Sequence, residues 1–175
     1  MTPAPKAAEL AAIIVMGVSG AGKSTVAQAL AARLGFAFRD ADDFHPPANI
    51  AKMSAGTPLT DEDRAPWLAA IAAAIVEAAR RHEPLVVTCS ALKRRYRDVL
   101  LGGRDDVVFV HLKGSRELIG ARIGARTDHF MPPGLLDSQF AALEEPGPEE
   151  PVVTVAVDPP VDTIVDEIVR RLGRP

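Results

Sequence analysis

The chain is poor in cysteine, in aromatic residues and in long apolar runs. Cys89 is the single cysteine among 175 residues, so no disulfide can close within the chain, and a reducing, cytoplasmic setting is expected. Aromatics make up only 5%. With alanine abundant, that points to closely packed helices rather than an aromatic core. No uninterrupted apolar stretch approaches the roughly 18 residues of a membrane span, so no membrane partner is expected. Met1 to Ala12 also lack the apolar segment of a signal peptide, and they read as a short N-terminal tail. Positive charge is not in excess either. The net charge is -3, which leaves no global basic field to hold a nucleic acid.

What is present suits one domain over residues 13–173, because 47% of the chain is apolar and that is ample for a single core. Short apolar runs at Ile13–Met16, Phe36–Asp40, Leu85–Cys89, Val107–Leu112 and Val152–Val157 read as strands. Helical spacing separates them. Val26, Leu30 and Leu34 recur at four-residue steps, and Leu68, Ile71, Ala72, Ile75 and Ala79 form the stripe of a long helix that Thr60 can cap. Glu144–Pro151, rich in proline and acid, reads as a surface loop. Strands alternating with helices imply an α/β fold: a five-stranded parallel sheet with helices on both faces, whose ligands bind beyond the carboxyl ends of the strands.

Gly17-Val18-Ser19-Gly20-Ala21-Gly22-Lys23-Ser24 matches G-x-x-x-x-G-K-S/T between a strand and a helix. The glycines let several backbone N–H groups converge, and the helix N-terminus adds its positive end. The pattern predicts ATP phosphates against this loop, with Lys23 on the β- and γ-phosphates, Ser24 on Mg2+, and Thr25 beside it in the first helical turn. Two other P-loop classes lack their marks here. After Val107–Leu112 the chain reads Lys113-Gly114-Ser115-Arg116 rather than a guanine-reading N-K-x-D, and the third strand ends in Thr88, Cys89 and Ser90 without an acid. Acids follow the second strand instead. Strand alternation would bring Asp40 and Asp42 to one side, one to support magnesium and one to orient the attacking hydroxyl. Asp43 reads equally well as a helix cap. His45, just before Pro46-Pro47, is a candidate for contact with a polyol, and no neighbouring cysteine or histidine gives zinc spacing.

Further segments carry a resemblance. Asp42-Asp43-Phe44-His45-Pro46-Pro47-Ala48-Asn49-Ile50-Ala51-Lys52-Met53 is followed by Pro58–Leu68 with its Asp63-Arg64-Ala65-Pro66-Trp67. Then come Cys89-Ser90-Ala91-Leu92-Lys93-Arg94, His129-Phe130-Met131-Pro132 and Ser138-Gln139-Phe140. With the P-loop, these resemble the small gluconokinases of the shikimate-kinase-like group. The resemblance implies a P-loop kinase fold with a mobile lid at about residues 122–134, a cytoplasmic homodimer, and phosphorylation of D-gluconate at its 6-hydroxyl. It also implies Asp42 facing that hydroxyl and Asp40 supporting magnesium. In similar kinases the lid pair corresponds to Arg126 on the phosphates and Arg122 on the adenine, with Pro159 in the loop on the adenine's other side and His129 toward the substrate. Charge chemistry adds Arg64 as the fork for a carboxylate, with Lys93 and Arg97 behind it and Arg94 or Arg95 left on a solvated face. The chain departs from the family pattern at Thr127-Asp128, where Lys-Gly is usual, and at Asp40-Ala41-Asp42, where Asp-Gly-Asp is common. Competing readings are a shikimate kinase, whose glycine run after the third strand is replaced here by Cys89-Ser90-Ala91, a nucleoside monophosphate kinase, and a nucleotide-binding module without catalysis.

Overall fold

Among the residues that the computed structural model describes, 10–124 and 134–173, five strands and seven α-helices alternate along the chain. The strands β1 (Ala12–Met16), β2 (Ala37–Asp40), β3 (Leu85–Thr88), β4 (Val107–Lys113) and β5 (Val152–Ala156) form one sheet in the order β2-β3-β1-β4-β5. Every pairing is parallel. The central strands β1 and β3 are buried along their whole length, which is why both are unbroken apolar runs.

The pleat of β1 divides the core. Ile13 and Val15 pack with α1 (Lys23–Leu34) and α7 (Val161–Arg171), through Val26, Leu30, Ile164 and Ile168. Ala12, Ile14 and Met16 face the other way, onto α3 (Asp61–Arg81) and α4 (Arg94–Leu101), through Leu68, Ile71, Ile75 and Leu100. The long α3 starts on a reciprocal cap. The Asp63 N–H donates to Thr60 Oγ1 at 3.1 Å, and the Thr60 N–H donates to Asp63 Oδ2 at 2.8 Å. Three shorter helices, α2 (Pro47–Ser54), α5 (Arg116–Gly124) and α6 (Leu135–Ala142), stand nearer the site.

Two expectations need correction. Leu10 and Ala11 are buried, and the Ala11 N–H donates to the Asp106 carbonyl at 2.7 Å; the packed domain therefore begins inside the stretch read as tail. The Glu144–Pro151 segment is not simply a surface loop either, because Glu150 is buried in an ion pair with Arg97.

Register sets the site. Val15 and Asp40 both pair with Thr88, so β1, β3 and β2 finish level, and a cleft of about 550 Å³ opens beyond their carboxyl ends.

Candidate active site

The chain leaves β1 at Met16 and turns through Gly17–Gly22 before α1, whose first two residues are Lys23 and Ser24. Gly22 adopts φ 91°, a left-handed conformation that strains residues with a β-carbon. At Gly20 a β-carbon would stand 2.6 Å from Ile123 Cγ1, so only glycine lets the loop lie against α5. Val18 and Ala21 are buried behind the loop, while Ser19, Gly20, Gly22, Lys23, Ser24 and Thr25 line the cleft. Lys23 folds back over its own loop, donating to the carbonyls of Gly17 at 2.9 Å and Val18 at 3.0 Å. Burial brings its pKa down to about 8, against the opposing pull of neighbouring acidic groups that include Asp42 and Asp40. Cys89, also on the cleft wall, is buried, and that burial pushes its thiol up to about 12; it is not a nucleophile at neutral pH.

Asp40 and Asp42 reach the cleft, though not by strand alternation. β2 ends at Asp40, and the chain winds into a 3-10 turn over Ala41–Phe44. Asp40 caps that turn, its Oδ1 accepting the Asp42 N–H at 2.9 Å, while its Oδ2 accepts from Ser24 Oγ at 3.3 Å. The turn is pinned on both sides. Its Ala41 N–H donates to Thr88 Oγ1 at 3.3 Å, and Trp67 Nε1 donates to the Ala41 carbonyl at 2.7 Å. Asp42 therefore projects into the cleft from a fixed backbone. Partial burial and then the Asp40 charge raise its pKa above the ordinary carboxylate value.

Opposite the P-loop, His45 stacks on Trp67 with ring centroids 4.5 Å apart. The buried Asn49 fixes its tautomer. Asn49 Nδ2 donates to the Asp63 carbonyl at 2.9 Å, and a carbonyl can only accept, so the amide orientation is set. The same Nδ2 lies 3.3 Å from His45 Nδ1. Nδ1 must then accept, and the ring proton sits on Nε2. Burial lowers the His45 pKa and Arg64 adds to that, while Asp42 opposes it. Lys52 donates to both Asp63 oxygens, at 3.0 and 2.8 Å, and ties α2 to the start of α3.

The expected basic residues separate. Arg64 lines the cleft, donates to the Tyr96 hydroxyl at 3.3 Å and lies 3.7 Å from Asp61. Lys93 stands behind it, 3.8 Å from the same carboxylate and 5.7 Å from the Tyr96 ring centre, and does not line the cleft. Arg97 is not a substrate ligand. It is 1% exposed, with Nε on Glu150 at 2.7 Å and its other nitrogens on the carbonyls of Ala91, Leu92 and Glu144. The helical spacing from Lys93 does not apply, because Lys93 precedes α4 in extended backbone, and α4 turns Arg97 into the core. Arg94 and Arg95 are exposed and pair with surface acids.

Arg122 lies in the last turn of α5, and Pro159 follows β5; both are half-buried, and neither lines the cleft. Arg126 and His129, in the expected lid, lie outside the described residues. Four contributors were not singled out from sequence: Asn49, Trp67, Thr88 and Gln139. Gln139 comes from α6 and bonds Ser19 across the cleft. A buried amide is recognisable only once its partners are known.

Residues 19–150 match the family model described as shikimate kinase. A gluconokinase of Gluconobacter oxydans (strain 621H) is 49% identical, over 91% of this chain and 89% of the relative. The chain belongs to the gluconokinase family. The thermoresistant gluconokinase of Escherichia coli (strain K12) is 44% identical over 87% of each chain. The crystal structure of a gluconokinase from Sinorhizobium meliloti 1021 matches with a TM-score of 0.84 at 46% identity, covering 98% of this chain and 94% of that one. Likeness to these gluconokinases spans the whole domain, acceptor side included, and not the P-loop alone.

Proposed function

We propose that this kinase transfers the γ-phosphate of ATP to the 6-hydroxyl of D-gluconate, yielding 6-phospho-D-gluconate and ADP. One observation carries the reading: a single cleft holds the P-loop, the Asp42 carboxylate and the Arg64 guanidinium. Those are the three groups needed for a phosphate donor, a hydroxyl nucleophile and an acidic acceptor. Phosphoryl transfer passes through a loose transition state, so positioning and charge do most of the work. Lys23 exchanges the Gly17 and Val18 carbonyls for phosphate oxygens. Asp42 accepts the hydrogen bond of the attacking hydroxyl and aims its oxygen at the phosphorus. His45 donates from Nε2 to a hydroxyl of the polyol, and Arg64 takes the carboxylate.

Ser24 Oγ and Asp40 Oδ2, 3.3 Å apart, are hard oxygen donors of the kind Mg2+ takes alongside phosphates and water. Among the described residues no three His, Cys, Asp or Glu side chains converge to hold a metal alone, which suits an ion that arrives with the nucleotide. A bound Mg2+ would neutralise phosphate charge. Assembly as a homodimer, supported by the family resemblance, and a cytoplasmic location, supported by the single cysteine, belong to the same proposal. Among the described residues no helix is long and apolar enough to cross a membrane.

The deciding experiment measures ATP-dependent transfer to gluconate, shikimate and glucose. Gluconate is expected to be the best acceptor by a wide margin. A site built for a carboxylate leaves its arginine unpaired against glucose. Preference for shikimate would sink the assignment.

A further inference from the structure

Gln139 stands 120 residues from the P-loop in sequence, yet it grips Ser19 twice. Its Oε1 accepts the Ser19 backbone N–H at 2.6 Å, and its Nε2 donates to Ser19 Oγ at 2.8 Å. The direction of the second bond follows from the first. A backbone N–H can only donate, so the amide oxygen must face it, and the amide NH2 must then face the hydroxyl. Ser19 Oγ therefore accepts from Gln139, and its own proton is left to donate elsewhere. Both Ser19 and Gln139 line the cleft. No other hydrogen bond to Ser19 Oγ is formed among the described residues.

We propose that Gln139 is a positioning residue for phosphoryl transfer, turning the Ser19 O–H into the cleft as a donor to the terminal phosphate of ATP. This rests on ATP lying in the P-loop. Ser19 is the third residue of the motif, on the stretch of loop that precedes the phosphate-cradling turn at Gly20–Lys23. The loop is also braced from α5 by Ile119 and Ile123 against Gly20. Helices α5 and α6 thus hold the two consecutive residues Ser19 and Gly20, one by an amide and one by apolar packing. With one lone pair of the hydroxyl taken by the Gln139 amide, the Ser19 proton points away from that amide, and a negative oxygen is the acceptor the site brings to it.

The test is a double-mutant cycle with a polarity-reversing variant. Ser19→Ala, Gln139→Ala, the double variant and Gln139→Glu are compared by turnover, by ATP and ADP affinity from calorimetry, and by thermal melting. In Gln139→Glu a carboxylate accepts both the Ser19 N–H and the Ser19 O–H. The loop stays tied, but the hydroxyl proton is drawn out of the cleft. The expected results are a loss of roughly tenfold or more in kcat/KM for ATP in both Ser19→Ala and Gln139→Glu, with ADP affinity changed much less. Gln139→Ala should add much less loss on the Ser19→Ala background than on the wild type, because only its bond to the backbone N–H of residue 19 is then left to break. If the Gln139→Ala and Ser19→Ala losses multiply, or if the Gln139 variants melt lower with ATP turnover intact, Gln139 is a structural brace and the proposal fails. Wild-type ATP binding and turnover, measured beside them, test the ATP reading separately.

Discussion

The two sides of the cleft are built in different ways. The nucleotide side is one continuous segment: a strand, six loop residues and a helix, shaped by glycines and backbone groups. The acceptor side is assembled from side chains on separate elements: Asp42 and His45 from the turn after β2, Asn49 from α2, and Arg64 and Trp67 from α3. Backbone chemistry is generic and binds what all P-loop proteins bind. Side-chain chemistry from dispersed elements is where an acceptor can be chosen. Variants on the two sides should therefore fail differently.

The largest effect is expected at Lys23. Replacing it by methionine should lower turnover by roughly a thousandfold or more, since the charge it brings to the phosphates is lost. Its pKa of about 8 lies below the unfolded value of 10.5. Between those values the unfolded chain holds the proton and the folded chain does not, so this group's contribution to stability rises with pH across the window. At pH 7 the buried ammonium costs stability. The nucleotide-free Lys23→Met variant should consequently melt higher than wild type by about 2–6 °C, with the gap closing as pH climbs from 8 toward 10.5. Parallel melting at pH 7 and pH 9.5 checks this, and a lower melting point at pH 7 would contradict it.

Asp42 comes next. Asp42→Asn should cut kcat by roughly a hundredfold or more, with ATP affinity nearly unchanged, because the carboxylate touches the acceptor rather than the nucleotide. Burial and the Asp40 charge raise its pKa. Activity that needs the carboxylate ionised should then rise with pH across a limb placed above the ordinary carboxylate range, and that limb should vanish in the variant. Equal loss of ATP affinity would assign Asp42 to the nucleotide side.

Much of this was legible before any coordinates. The five strands, the capped α3 and the P-loop are local patterns, and each boundary moved by only a residue or so. Asp40, Asp42, His45 and Arg64 converge as expected. The misreadings share a cause. Asp40 and Asp42 share the cleft through a capped turn, because Asp40 accepts the Asp42 N–H and ends the strand. Arg97 looked like a ligand because it lies near Lys93 in sequence, while its acid partner Glu150 is 53 residues away. Gln139 and Asn49 are neutral amides whose roles exist only through bonds to one-way backbone groups. No spacing rule reveals them.

The two arginines sharpen the comparison further. Arg97→Ala should strip the buried Glu150 of its close ion pair, leaving it the Gly147 N–H and Arg94 at 3.7 Å, costing about 3–5 kcal/mol of stability, and it should affect KM only through unfolding. Arg64→Ala should do the opposite. It should melt near wild type, raise KM for gluconate roughly tenfold to a hundredfold, and narrow the gap between gluconate and glucose. Melting curves and Michaelis constants on both variants decide the matter. Unchanged discrimination in Arg64→Ala would place the carboxylate elsewhere in the cleft.

The smallest effect tests how finely the acceptor side is set. Asn49 presents an N–H to His45 Nδ1, so a proton on Nδ1 would meet a donor head-on. That opposition works with burial to hold the imidazole neutral, with its hydrogen on Nε2 as a donor to the polyol. Asn49→Ala removes the opposition. The His45 pKa, now below 6.5, should rise, and the Nε2 tautomer should lose its preference. Stability should fall modestly, by about 1–2 kcal/mol, because the Asp63 carbonyl loses its donor. KM for gluconate should rise by roughly threefold to tenfold, more at pH 8, where the neutral ring can give up its Nε2 hydrogen, than at pH 6, where the protonated ring donates from both nitrogens, with ATP affinity untouched. Nitrogen chemical shifts of the His45 ring, followed through a pH titration, report both the tautomer and the pKa. An unaltered titration in Asn49→Ala would mean that stacking on Trp67 alone fixes the ring. The acceptor side would then owe its proton placement to packing rather than to a hydrogen bond.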